Sequence, residues 1–380
     1  MKVCLVADAL EPVTGWGCYA GEIARRLIAA GVDCRLVSPL AHCAYPDLAA
    51  HPDHRDLRSF MYGDRHWAKL LARTFPALCR ATAGCDLVHC LVEPYLPALA
   101  LLPRRVPLVA SLVGTYSLPS VHPGPERRLI QRAYRRARGF MSISAYTARR
   151  VAAEFPVTDV RVVPLGVDVA EFHPSRSLPH REDKLLLTVG MVKHRKGLHI
   201  SIEAFARVLE KHPTARYVIA GQLERSPYLD RLHAQIQDLD IGHAVEIRGE
   251  ITEDEKIDLY HRCSVFVAHF LSSATSFDGF GLVYLEANAC ARPVIGTRDS
   301  GAEEPIRGGQ NGLLVPQGDI AATATAIDRL FSDSEFARKL GAGGSLRARK
   351  LSWENTVDRV LSLYESVLPD WTRPATVLTT

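Results

Sequence analysis

The 380 residues carry 46 Lys+Arg against 42 Asp+Glu, a net charge of +4, with 47% apolar and 23% charged residues. That balance excludes a largely disordered chain, and the length suits two domains or one large one. The best apolar run, residues 95–102, holds two prolines and is far short of a membrane span, and Asp8 and Glu11 interrupt any signal-peptide core, so neither is expected.

Residues 3–7 form a short apolar run suited to a buried parallel strand, stopping at Asp8. A loop with Gly15, Trp16 and Gly17 leads into a helical pattern over 20–30, Gly31 ends it, and 34–38 reads as the next strand. Residues 40–70 are irregular, with no placed element. Further strands are expected at 86–90, 107–112, 140–144 and 160–163, with helices at 126–137 and 147–154. Residues 174–183 are polar and proline-containing and read as a linker. A second alternating series follows: strands at 185–189, 217–220, 245–247, 265–268, 293–295 and 313–315, and helices at 198–209, 229–239 and 256–262. Such alternation predicts an α/β chain of two doubly wound parallel-sheet domains facing a cleft. The expected division is 1–173, linker 174–183 and 184–352, with a terminal helix over 353–380 packing back on the first domain. Ligands of such sheets bind at the carboxyl ends of the strands, here the loops 8–17, 190–197 and 269–281.

The halves differ in sign. Residues 1–180 hold 22 Lys+Arg against 15 Asp+Glu, and the remainder 24 against 27, which favours two modules. Much of the excess is Arg127, Arg128, Arg132, Arg135, Arg136 and Arg138. Helical spacing gathers Arg128, Arg132, Arg135 and Arg136 near one face, and Leu129, Ile130, Ala133 and Ala137 away from it. This face suits peripheral contact with an anionic membrane, or pairing with local carboxylates. Nine cysteines include no Cys-x-x-Cys pair, and Cys85, His89 and Cys90 lack the tight ligand pairs of a zinc site. Free thiols in a reducing, cytoplasmic setting are expected, and no nucleic-acid partner.

Gly190 to Gly197 reads Gly-Met-Val-Lys-His-Arg-Lys-Gly between a strand and a helix. Helix amides and the cations Lys193, Arg195 and Lys196 suit a diphosphate, though a solvated basic turn has the same composition. The loop with Gly15 and Gly17 permits close backbone approach to a ligand, but its missing third glycine disfavours a nicotinamide enzyme. In Asp278-Gly-Phe-Gly-Leu-Val-Tyr-Leu-Glu286-Ala, a helix starting near Gly281 puts Glu286 in its second turn, with Asp278 at its mouth. Two such acceptors suit sugar hydroxyls flanking a phosphate, while helix entry and ordinary ion pairing explain them equally. Asp238-Leu-Asp240 has a metal-pair spacing, but falls at a predicted helix end and reads as solvated surface.

Together these segments resemble family 4 of the nucleotide-sugar glycosyltransferases, of GT-B fold. The resemblance runs through Val163-Pro-Leu-Gly-Val-Asp168, the 190–197 loop, Asp278 to Ala287, Arg292-Pro-Val-Ile, Ser300-Gly301-Ala-Glu-Glu304, Asn311 to Pro316 and Ser352-Trp353. It implies a retaining transferase that moves a hexosyl group from a nucleoside-diphosphate sugar to an acceptor hydroxyl, with no cofactor and no metal. By the same resemblance Lys196, helped by Arg195 or Lys193, neutralises the diphosphate. Glu286 holds the ribose, and Asp278 takes the first-glutamate position beside the donor sugar. Phe280, Gly281 and Leu282 offer backbone amides, and Gly15, Gly17 and Gly190 complete the donor side. His89 and Gly114 fall on the acceptor side, the acceptor being a glycan, a lipid-linked sugar or a small molecule. Three positions depart from the family pattern: Asp278 is shorter than the usual Glu, Met191 replaces an arginine, and Val113 stands where a histidine is common. These leave open a donor-binding partner subunit without activity, and a nucleotide-sugar epimerase of the same architecture is the enzymatic alternative.

Overall fold

The computed structural model describes residues 1–12, 14–57, 67–174, 184–223 and 225–374, with only the backbone of 67–70. The chain divides into two units, Met1–Leu165 with Trp353–Thr380, and Gly166–Ser352. The division therefore falls before 173, where the sequence placed it. Residues 166–173 group with the second unit because the Val167 amide donates to the Leu351 carbonyl (3.0 Å) and Phe172 packs edge-on against Tyr260 (6.1 Å between centroids). All of the expected linker except Pro174 lies outside the described residues.

The first unit is built on seven parallel strands: β1 (Lys2–Val6), β2 (Asp33–Ser38), β3 (His54–Asp56), β4 (Leu87–Cys90), β5 (Leu108–Leu112), β6 (Gly139–Ser142) and β7 (Val160–Val162). Their order is β3-β2-β1-β4-β5-β6-β7, so the winding direction reverses at β1. Its apolar strands are covered by helices on both faces, as the continuous hydrophobic runs require: Val3, Cys4, Leu5 and Val6 are all buried. β3 falls in the 40–70 stretch where the sequence showed no element, and the helix Trp67–Thr82, also not read from the sequence, begins at its end. The strand is three polar residues long and has no apolar period, whereas the helix does repeat apolar residues at helical spacing, from Trp67 through Leu70, Leu71 and Phe75 to Leu78, around the helix-disfavouring Pro76. The helix Trp353–Val367 belongs to this unit: Thr356 Oγ1 donates to the Pro164 carbonyl (2.8 Å), and Arg26 Nε to Glu354 (3.1 Å).

The second unit has six parallel strands, β8 (Leu185–Val189), β9 (Arg216–Ala220), β10 (Val245–Arg248), β11 (Val265–Val267), β12 (Val294–Thr297) and β13 (Gly312–Val315), ordered β10-β9-β8-β11-β12-β13. The reversal is at β8, which puts the loops after β8 and β11 side by side at the strand carboxyl ends. The helices Ile320–Ser332 and Ser334–Lys350 complete the unit and were not read from the sequence.

Candidate active site

β8 ends at Val189, and Gly190 (φ 144°) turns the chain out of the sheet while its amide donates to Ala220. A single turn, His194–Lys196, then leads to Gly197, which opens the helix Leu198–Leu209. Gly197 has φ 61° and lies so close to the His269 carbonyl that a Cβ would overlap it. The Leu271 amide donates to the Arg195 carbonyl (2.8 Å), tying the turn to the segment after β11. The basic residues are thus on a braced turn, not a free loop.

The bracing delivers Lys196 and Arg195 to a carboxylate 82 residues on. Lys196 Nζ donates to Asp278 Oδ1 (2.7 Å) and sits over the Phe270 ring, 4.4 Å from its centroid. Arg195 Nε lies 3.3 Å from Asp278 Oδ2. Burial acts to raise the Asp278 carboxyl, but Lys196 and Arg195 outweigh it and hold it below the usual carboxylate range. Burial likewise pushes the Lys196 ammonium down, with Asp278 opposing and Arg195 adding to the shift. Both side chains keep some exposure, 19% for Lys196 and 13% for Asp278.

Gly301 clamps the Asp278–Phe280 segment: its amide donates to the Asp278 carbonyl (3.2 Å), and a Cβ on it would overlap the backbone of Asp278, Gly279 and Phe280. Phe280 is buried, so its ring is not open to a ligand. Gly281 (φ 95°) caps the helix Leu282–Ala289, Leu282 is its first residue, and Glu286 falls in the second turn. Tyr260 donates to Glu286 Oε2 (2.7 Å), and Lys256 Nζ reaches Oε1 (3.4 Å). Burial and the facing Glu286 raise the Tyr260 phenol well above its ordinary value. Sequence reasoning missed Lys256 and Tyr260, although their i,i+4 spacing behind the Thr252–Glu255 capping box places them on one face of the helix Glu253–Arg262.

The first unit corrects three expectations. Gly15 and Gly17 do not lie in a loop: the helix Gly15–Ala29 begins there, because the Thr14 hydroxyl accepts the Gly17 amide (3.1 Å) as an N-cap. Gly15 is exposed at the helix start, whereas Gly17 is buried against Glu11. His89 does not face an open site. It is fully buried, with Nδ1 2.7 Å from the Tyr364 hydroxyl and Nε2 2.9 Å from the Ser111 hydroxyl, and burial pulls its pKa down to about 3. Arg136 leaves the basic face of its helix. Its guanidinium donates to the carbonyls of Leu99, Leu102, Pro103 and Val106.

Gly114 follows β5, and its amide donates to Glu93 Oε1 (3.2 Å), as does that of Val113 (2.7 Å); the Ser117 hydroxyl donates to the same oxygen. Glu93, missed from the sequence, is fully buried, and burial raises its pKa against the pull of these donors. Beyond it Trp16 and the exposed Tyr116 pack edge-on, 5.5 Å between centroids. Asp238 and Asp240 are exposed at the end of the helix Pro227–Asp238. All nine cysteines are free, and among the described residues no three His, Cys, Asp or Glu side chains gather as metal ligands.

Two doubly wound sheets, with a cationic turn and a carboxylate-bearing helix at the strand ends of the second, have the architecture of a GT-B glycosyltransferase. The fold matches HepE of Anabaena, solved with UDP and glucose, at a TM-score of 0.78 over 96% of this chain and 100% of that one, with 20% identity. The chain belongs to the family 4 glycosyltransferases. The Glycosyltransferase Family 4 model matches residues 13–171, and the Glycosyl transferases group 1 model residues 170–347. A D-inositol 3-phosphate glycosyltransferase of Acidothermus cellulolyticus is 34% identical over 57% of this chain and 50% of its own length. D-inositol 3-phosphate glycosyltransferase 1 of Catenulispora acidiphila is 28% identical over 93% of this chain and 91% of its length. The matched region spans about half the length of several such relatives. Among the described residues no helix is long and apolar enough to cross a membrane.

Proposed function

We infer that this glycosyltransferase moves a hexosyl group from a nucleoside-diphosphate sugar to an acceptor hydroxyl, with retention at the anomeric carbon and without a metal. The observation that carries the reading is the Asp278 carboxylate held against both Lys196 and Arg195 beside the start of the helix Leu282–Ala289. As the sugar–phosphate bond breaks, negative charge grows on the departing diphosphate while the sugar becomes cationic. Lys196, Arg195 and the helix amides stabilise the former, which is the larger share of such catalysis. Asp278, kept ionised by its two cations, stands by the sugar. Glu286, held in place by Tyr260 and Lys256, accepts the ribose hydroxyls.

The relatives named for inositol phosphate make a hydroxyl-rich ring the first acceptor class to test, and the partly open Trp16–Tyr116 pair of the first unit offers an apolar edge to such a ring. UDP-, GDP- and ADP-sugars should be screened for thermal stabilisation, and the best donor then followed for nucleoside diphosphate release with and without cyclitol and glycan acceptors. Release that depends on acceptor, with the donor's anomeric configuration kept in the product by NMR, is the expected result. An inverted product refutes retention, and stabilisation by no nucleotide sugar refutes the donor site.

A further inference from the structure

The first unit carries a basic surface that none of its described carboxylates pairs with. Arg127, Arg128, Arg132 and Arg135 lie on the helix Gly124–Arg136, Arg138 follows it, and Arg104 and Arg105 precede β5. All seven are exposed, and none pairs with a carboxylate among the described residues. The one acidic residue of the helix, Glu126, is turned inward and buried, 3.1 Å from His122 Nδ1. Arg128, Arg132 and Arg135 recur at i, i+4 and i+7, opposite the buried Glu126, Ile130 and Ala133. Arg136 shows how crowded the charge is. Burial lowers its pKa first, and Arg104 and Arg132 lower it further.

A solvated basic helix ordinarily draws local carboxylates to itself. Here the helix's own carboxylate, Glu126, is withdrawn into the core, and the neighbouring Glu154 is held by Ser120. Beside Arg135, whose guanidinium lies over the Phe155 ring (5.4 Å), the exposed Pro156 and half-buried Val157 line a shallow groove and give the cationic face an apolar margin. We propose that this face docks on an anionic lipid surface, with guanidinium groups on the headgroups and the 155–157 edge at the glycerol level. The helix starts a few residues after the 113–117 loop that Glu93 organises, so docking brings that loop toward the bilayer surface. The proposal is independent of the donor assignment.

The test is flotation of the full chain with phosphatidylcholine vesicles, with and without phosphatidylglycerol, at low and high salt. Binding is expected only to the anionic vesicles, and salt should release it. The triple variant Arg128→Glu/Arg132→Glu/Arg135→Glu should bind about 100-fold more weakly, from roughly fivefold per arginine. Should that variant melt early, Arg104→Glu/Arg105→Glu, in a surface turn, carries the same test. Equal recovery with neutral and anionic vesicles overturns the proposal, as does unchanged binding by a folded variant. So does tighter binding to a short DNA duplex than to the anionic vesicles, which makes the face a nucleic-acid surface instead.

Discussion

At the strand ends of the second unit, the charged groups stay partly open: Lys196 and Asp278 keep 19% and 13% exposure and pair with each other. At the strand ends of the first unit, Glu93 has none, and its work is internal: one oxygen gathers the amides of Val113 and Gly114 and the Ser117 hydroxyl. The first arrangement leaves cations available to an incoming anion. The second shapes a loop from beneath, and what that loop presents outward is backbone and the Tyr116 ring. The same doubly wound scaffold thus supports an electrostatic site in one unit and a positional one in the other.

The largest expected effect is Lys196→Ala, which should lower turnover by about 100- to 1000-fold, in line with removal of a single stabilising donor from a leaving anion. Since it also leaves Asp278 with Arg195 alone, the melting temperature should fall, and adding Asp278→Asn should restore stability without restoring turnover. Recovery of both together would mean the pair is structural only. Next, Glu93→Ala strands three donors and should cost on the order of 3 kcal/mol in denaturant unfolding. An effect near zero would remove Glu93 as organiser of the 113–117 loop.

Gly301→Ala drives a methyl into the Asp278–Phe280 backbone. It should cost roughly 2 kcal/mol, as overpacked sites do, and lower turnover beyond what unfolding accounts for. The smallest effect is Glu93→Gln, read as stability against pH. Because the folded state raises the Glu93 pKa, its stabilising contribution is complete below the ordinary 4.5 and is lost as pH climbs through the raised value. The glutamine variant should flatten that decline and match or exceed the parent near neutrality. A decline identical in both proteins would assign the pH dependence elsewhere.

Both sheets were legible because most strands carry an apolar run, and β7 and β10 an apolar–polar alternation, at a spacing that leaves room for a covering helix; β3 has neither. The helix position of Glu286 followed from the same periodicity once Gly281 marked the start. Other features had no local signature. The start of the first helix at Gly15 depends on a Thr14 cap that glycine-rich composition disguised. The burial of His89 depends on Tyr364, 275 residues away, and the inward turn of Arg136 on four carbonyls of a preceding turn.

What the sequence alone determined is the alternating architecture and the family motifs around 190–197 and 278–286, since hydrophobic period and glycine placement are local properties of the chain. Only the tertiary structure decided which charges meet. Lys196 and Asp278 lie 82 residues apart, Tyr260 and Glu286 26 apart, and Glu93 and Val113 20 apart. Electrostatic and hydrogen-bond partners are set by distance in space, and winding parallel strands outward from a central one brings distant loops to the same edge of each sheet.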